Sequence, residues 1–128
     1  MSGVVTCGVV ALPHGRVHYR TVTGGAADRP LLLMAHQSPL SSRRYLRLLP
    51  HLADLVRPVA VDTPGYGESD PPGAEWEVPD YSGVLLALAD RFEAERVMLF
   101  GRATGSVLAL DAAARAPERV TALVLHGL

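Results

Sequence analysis

The sequence predicts an α/β fold built on a mostly parallel sheet with an antiparallel hairpin at its N-terminal end. Three observations carry this. Short apolar runs alternate with segments of helical period, turn-forming residues join the first two runs, and the later runs lack the polar alternation of a sheet with one wet face. No internal repeat or low-complexity stretch interrupts the pattern. With 128 residues and 48% apolar side chains, the chain is sized for one small domain and can supply a core.

Val4 to Leu12 and Val17 to Val22 are rich in β-branched residues, and Pro13-His14-Gly15 between them suits a hairpin. Gly24-Gly25 ends the pair. Leu31 to His36 and Pro58 to Asp62 alternate little, as strands buried on both faces do, and Val97 to Gly101 and Val120 to His126 repeat the pattern. Three helices are expected between them. Tyr45, Leu48, Leu49, Leu52 and Leu55 make a stripe after Ser41 and Ser42 that Pro50 splits, the proline starting the helix proper. Tyr81, Val84, Leu85, Leu88, Ala89 and Phe92 share one helical face, with Asp80 before them as N-cap. Gly105 to Ala116 is Ala-rich, sets Val107, Leu108, Ala113 and Ala114 at helical spacing, and stops at Pro117. Strands alternating with helices give right-handed crossovers, and ligands of such sheets collect at the carboxyl ends of the strands.

Composition narrows the function. Twelve Arg, no Lys and 13 acidic residues give a formal charge of -1, without the basic excess that nucleic acid or an anionic membrane surface requires. The apolar runs fall far short of the roughly 20 residues that span a bilayer. No Lys or Arg precedes Arg16, so the N-terminus does not read as a signal peptide, and a cytoplasmic product is expected. Cys7 is the only cysteine, so no internal disulfide is expected, and no metal site is expected either. Gly65-x-Gly67 lacks the third glycine and the helix of a dinucleotide site, and no other cofactor motif is present.

The segment Leu99-Phe-Gly101-Arg-Ala103-Thr-Gly105-Ser runs strand, sharp turn, helix, with glycines at the outer places of the pattern Gly-x-nucleophile-x-Gly. Small residues two before and two after the tip are a steric requirement of such a turn, because its neighbours crowd the helix. Asp62-Thr-Pro64-Gly65-Tyr-Gly67-Glu-Ser69 follows the fourth strand, and His36-Gln37-Ser-Pro39 follows the third. Ala116-Pro-Glu-Arg-Val120 leads into the sixth.

Together these stretches resemble the N-terminal half of the α/β-hydrolase fold, and the resemblance covers nearly all of the chain. It implies a hydrolase of a small ester, lactone or related carbonyl compound. It places the nucleophile at position 103 and implies an oxyanion hole made by the backbone amides of Thr104 and Gln37. Gly101, Gly105, Gly65, Gly67 and Asp62 would shape the elbow and loops. His36 is a base or, as the resemblance implies, the anchor of its loop. Arg102 either binds an anionic group of a ligand or is simply solvated.

Three departures stand against a working triad. Ala103 occupies the nucleophile position, and a methyl group cannot be activated by any base. Thr104 and Ser106 bear hydroxyls, but the resemblance directs the first away from the attack position and the second lies within the helix. Gln37 replaces the glycine that commonly follows the histidine, a pairing similar to a bacterial branch of the family whose elbow often lacks serine. Finally, the resemblance places the family's acid and histidine beyond the sixth strand, and Asp62, Asp111 and His126 are not in position to replace them. A non-catalytic pseudoenzyme for ligand binding or assembly is therefore the alternative. The uncharged run Val120 to Leu125 would form a sheet edge, so a homo-oligomer or a complementing C-terminal half is expected along it.

Overall fold

A computed structural model describes residues 3–24 and 28–128. Strands β1 (Val5–Leu12) and β2 (Gly15–Val22) pair antiparallel from Val5 opposite Val22 to Leu12 opposite Gly15, leaving Pro13 and His14 as the turn. Gly24 follows the pair in left-handed backbone at φ 86°; Gly25, the other half of the expected stop, lies outside the described residues. Strands β3 (Leu31–Ala35), β4 (Arg57–Val61), β5 (Val97–Arg102) and β6 (Val120–His126) run parallel to one another. The sheet order is β1-β2-β4-β3-β5-β6, with β2 antiparallel to β4 and with β1 and β6 at the edges.

The unalternating runs follow from burial on both faces. Leu31, Leu33, Val59, Val61, Val97 and Leu99 pack against α2 (Val78–Arg91) and α3 (Thr104–Arg115) on one side of the sheet. Leu32, Met34 and Ala60 point the other way, onto Tyr45, Leu49 and Ala53. Each fully buried Leu in these layers stabilises the fold by about 2–3 kcal/mol. On β6 the cover thins: Ala122 and Val124 are exposed beside the half-buried Met98 and Phe100 of β5.

Local details depart from the sequence reading in three places. The stripe from Tyr45 to Leu55 is not one helix but a 3₁₀ turn over Ser42–Tyr45 and a single helical turn, α1 (Leu49–Leu52), and Leu48 and Leu55 are exposed. Pro50 sits in the first turn of α1, where its missing N–H does no harm; a continuous helix would place it where that donor is needed. Asp80 is not the N-cap of α2 but its third helical residue, and Glu77 caps it, its N–H donating to Asp80 Oδ2 at 2.8 Å. Pro79 starts the helix early enough to move the cap back. In α3 the buried face is Gly105, Ser106, Ala109 and Ala112, while Val107 and Ala114 face outward. Only small residues fit where α3 lies close over β3 and β5.

Candidate functional site

Ala103 is the single residue between β5 and α3, with φ 50° and ψ −115°. That left-handed conformation costs an L residue roughly 1–2 kcal/mol, so the surroundings must impose it. The Ala103 N–H donates to His126 O at 2.8 Å, and its carbonyl accepts from Ser106 N at 2.9 Å. Ser106, fully buried, places its hydroxyl 2.8 Å from Gly101 O and 3.2 Å from His126 O, tying the helix start to the ends of β5 and β6. A Cβ on Gly101 would lie 2.6 Å from the Gly105 carbonyl carbon, and one on Gly105 would lie 2.6 Å from that of Ala35. Both glycines are therefore steric necessities, and the elbow is fully formed although its tip carries only a methyl group.

The loop after β3 closes over this tip. Thr63 N–H can only donate, and it reaches His36 Nε2 at 3.1 Å, so the His36 proton resides on Nδ1 and is given to Gln37 O at 2.9 Å. Thr63 Oγ1 lies 3.0 Å from the same Nε2. Burial holds the His36 pKa below its ordinary value, against the opposing pulls of Gln37 O and the Asp62 charge. With its lone pair engaged, His36 ties the loop after β3 to the turn after β4. Ser38 N–H donates to Thr104 Oγ1 at 2.7 Å, and the two hydroxyls stand 3.3 Å apart, linking the loop to the first residue of α3. The Ser38–Pro39 bond is cis. The side-chain oxygen of Gln37 is buried without a hydrogen-bond partner among the described residues.

Beside this loop the turn after β4 is organised around Asp62, which is wholly buried. Its carboxylate accepts from Ser42 N at 2.7 Å, Glu68 N at 2.9 Å and His18 Nδ1 at 2.9 Å. Arg20 binds Ser42 Oγ at 2.6 Å and stands 4.0 Å from Asp62. Burial alone would raise the Asp62 pKa, but the hydrogen bonds from Glu68, Ser42 and His18 outweigh it and hold the group below its ordinary value. Gly65 and Gly67 turn the chain at φ 89° and 54°, and a Cβ on Gly67 would meet Asp62 Oδ1 at 2.7 Å.

These turns enclose a cavity of about 140 Å³ lined by His36, Ser38, Thr63, Tyr66, Tyr81, Thr104 and Leu108. Thr104 thus does reach the cavity, although its hydroxyl contacts only Ser38. Arg102 does not line the cavity; it lies near Tyr45, whose hydroxyl burial pushes up to about 12 against the pull of Arg102 and Arg44. Asp111 is held by Ser82 and Arg115. Ser38, Thr63, Tyr66, Tyr81 and Leu108 were not singled out from the sequence as lining a site. Ser38, Thr63 and Tyr66 sit inside the recognised loop motifs, so the motifs held a signal for them, whereas Tyr81 and Leu108 looked like ordinary members of helical stripes. No group of three or more His, Cys, Asp or Glu able to hold a metal occurs among the described residues, and no helix there is long and apolar enough to cross a membrane.

Comparison with known proteins matches residues 30–128 to the alpha/beta hydrolase fold model. A haloalkane dehalogenase of Mesorhizobium japonicum is 35% identical over 97 residues, which are 76% of this chain and 31% of that protein. The dihydrolipoyllysine-residue acetyltransferase component of the acetoin cleaving system of Pseudomonas putida is 33% identical over 102 residues, 80% of this chain and 27% of its own length. Among solved structures, a haloalkane dehalogenase DbeA loop variant from Bradyrhizobium elkanii superposes with a TM-score of 0.86 at 29% identity, covering 94% of this chain and 40% of that one. A bacterial membrane phospholipase A gives 0.87 at 29% identity, over 94% and 39%. The chain thus spans about a third of the length of the curated relatives it matches. Since the family model matches residues 30–128, well over half of the chain and from before β3 to beyond β6, this chain belongs to the α/β-hydrolase family.

Proposed function

We propose that the site holds a small ester, lactone or related carbonyl compound without covalent attack from the elbow, making this a non-catalytic member of its family. The observation that carries the reading is Ala103: the strained conformation of a nucleophile elbow is kept while the attacking group is gone. Whatever segment follows β6, no base can draw a nucleophile from a methyl group. The backbone N–H groups of Gln37 and Thr104 would donate to the ligand's carbonyl oxygen, aided by the N-terminal end of α3. His36 and the Thr104–Ser38 link would hold the two donors in register.

Enzymatic turnover is the second reading, favoured by relatives named haloalkane dehalogenase and 2-(acetamidomethylene)succinate hydrolase. It requires water, activated by a base outside these elements, to attack a carbonyl polarised by the same amides. For partners we infer a further strand added along the open side of β6, from the remainder of a family fold or from a second copy. The exposed Ala122 and Val124 on that strand support this. We propose a bacterial source, which the Arg-only basic composition and the relatives' sources support, and with it a cytoplasmic setting.

The test combines chromogenic esters, a serine-directed fluorophosphonate and light scattering on one sample of the purified chain. No labelling and no turnover, with saturable ester binding, are expected. Turnover above buffer would transfer the site to the second reading. A dispersed monomer would overturn the β6 inference.

A further inference from the structure

Strand β1 forms the edge of the sheet opposite β6, and the middle of that edge is open. Thr23 N–H donates to Val4 O at 3.0 Å, so the Val4 backbone faces β2. The register runs unbroken from Val5 to Leu12, so Thr6, Gly8, Val10 and Leu12 face β2 as well, while Val5, Cys7, Val9 and Ala11 direct their N–H and C=O groups outward. Their partners on β2 agree. His18, opposite Val9, gives its N–H to Ser69 Oγ at 2.8 Å and accepts from Asp62 N at 2.9 Å, both on the side away from β1. At one end Arg91 donates to Ala11 O and closes the edge there. Among the described residues nothing pairs with the outer backbone groups of Val5, Cys7 and Val9.

Open edges are ordinarily blunted by a charge, a proline or a bulge. The run Val-Thr-Cys-Gly-Val-Val-Ala-Leu has none of these. Its glycine is braced, because a Cβ on Gly8 would fall 2.3 Å from the Tyr19 ring, which fills the place of the missing side chain. The free stretch is also close to symmetric about Cys7. Laid antiparallel against itself with Cys7 on a two-fold axis, Val5 meets Val9, Thr6 meets Gly8 and Cys7 meets Cys7. Every outward N–H and C=O of the stretch then finds a partner, and no charge is buried. Cys7 and Val9 have exposed side chains to pack across the seam. A formal charge of -1 leaves two copies little mutual repulsion.

We infer that β1 docks a second copy of this chain, edge to edge and antiparallel, with Cys7 of the two copies facing each other across the axis. The pairing joins two six-stranded sheets into one and closes at two copies, because the same patch serves both. It lies at the far edge from β6 and is independent of what pairs there. Directly opposite residues of such a ladder have Cα atoms about 5.5 Å apart, so the two thiols come within reach of each other and report the register.

The test uses the purified chain carrying Val124→Lys, which places a charge on the exposed face of β6 and blunts that edge. Light scattering over a concentration series is combined with amide hydrogen exchange and with dibromobimane, which fluoresces on bridging two thiols. The mass is expected to rise from 13.6 kDa to twice that value and level off. Exchange at the Cys7 and Val9 amides is expected to slow at least tenfold at high concentration, with bridging of Cys7 in step. Adding Val9→Lys sets a charge in the seam at an exposed position, and adding Val9→Pro removes an N–H that β2 does not use. Each is expected to weaken association at least tenfold at an unchanged melting temperature. A monomer at every concentration, growth beyond two copies, or association that leaves the β1 amides or both Val9 variants unaffected overturns the proposal. Slowed β1 amides without a thiol bridge overturn the pairing centred on Cys7.

Discussion

The turn after β5 and the turn after β4 both leave the carboxyl end of a parallel strand and border the same cavity, yet one is held by backbone and the other by a side chain. At the elbow, two glycines and a web of carbonyls and amides force Ala103 to φ 50°, and the residue's own side chain contributes nothing to the turn. At the β4 turn the Asp62 carboxylate is itself the organiser, collecting donors from β2, the 3₁₀ turn and the loop at Glu68. A turn built on backbone tolerates loss of its tip side chain and keeps its shape; a turn built on a carboxylate does not. This explains how the elbow persists without a nucleophile.

The contrast can be broken most directly at Asp62. Asp62→Ala strands three buried or partly buried donors, and about 3–5 kcal/mol of stability is expected to vanish in urea unfolding. An unchanged midpoint would show that the carboxylate does not organise its turn. Acid is a milder form of the same perturbation. Both Asp62 and His36 have folded pKa values below their ordinary ones, so the unfolded chain binds their protons first and stability falls as pH is lowered. The His36 contribution is expected to begin fading as pH drops below about 6.5 and the Asp62 contribution below about 4. Melting curves across pH 8 to 3 check this, and His36→Gln should remove the upper limb alone.

On the elbow side, Gly101→Ala drives a methyl group into the Gly105 and Ser106 backbone and is expected to cost about 2–3 kcal/mol. Ala103→Gly does the opposite, relieving the positive φ and stabilising the chain by about 1 kcal/mol. A loss of stability there would mean that the methyl group packs usefully after all. The smallest effect on stability is expected for Thr104→Val, within about 0.5 kcal/mol because the residue is exposed. The same change should alter hydrogen exchange at the Ser38 amide, which loses its acceptor, while Thr104→Ser restores it.

The sheet was legible because burial on both faces leaves a direct mark: Leu31 to Ala35 is apolar throughout, and such a run has no other common use in a chain of this size. The elbow was legible for a related reason, since Gly101 and Gly105 answer to contacts within one local turn and with the adjacent strand. Less legible were features that depend on what packs where. Asp62 read as a turn former because its partners His18 and Arg20 lie more than 40 residues away in sequence, and nothing local announces them. Tyr81 and Leu108 read as helix-face residues; that they wall a cavity depends on how α2 and α3 meet the loop after β3.

By itself, then, the sequence determined the order of strands and helices, the position of the elbow and the absence of an attacking group at its tip. Each follows from periodicity, glycine placement or the chemistry of a single side chain. Tertiary structure alone decided that Ser38, Thr63, Tyr66, Tyr81 and Thr104 line one cavity, that the His36 lone pair is engaged, and that Arg102 lies outside the lining. Those properties belong to groups from β3, the β4 turn, α2 and α3, which are distant along the chain and share an environment only after the sheet has assembled.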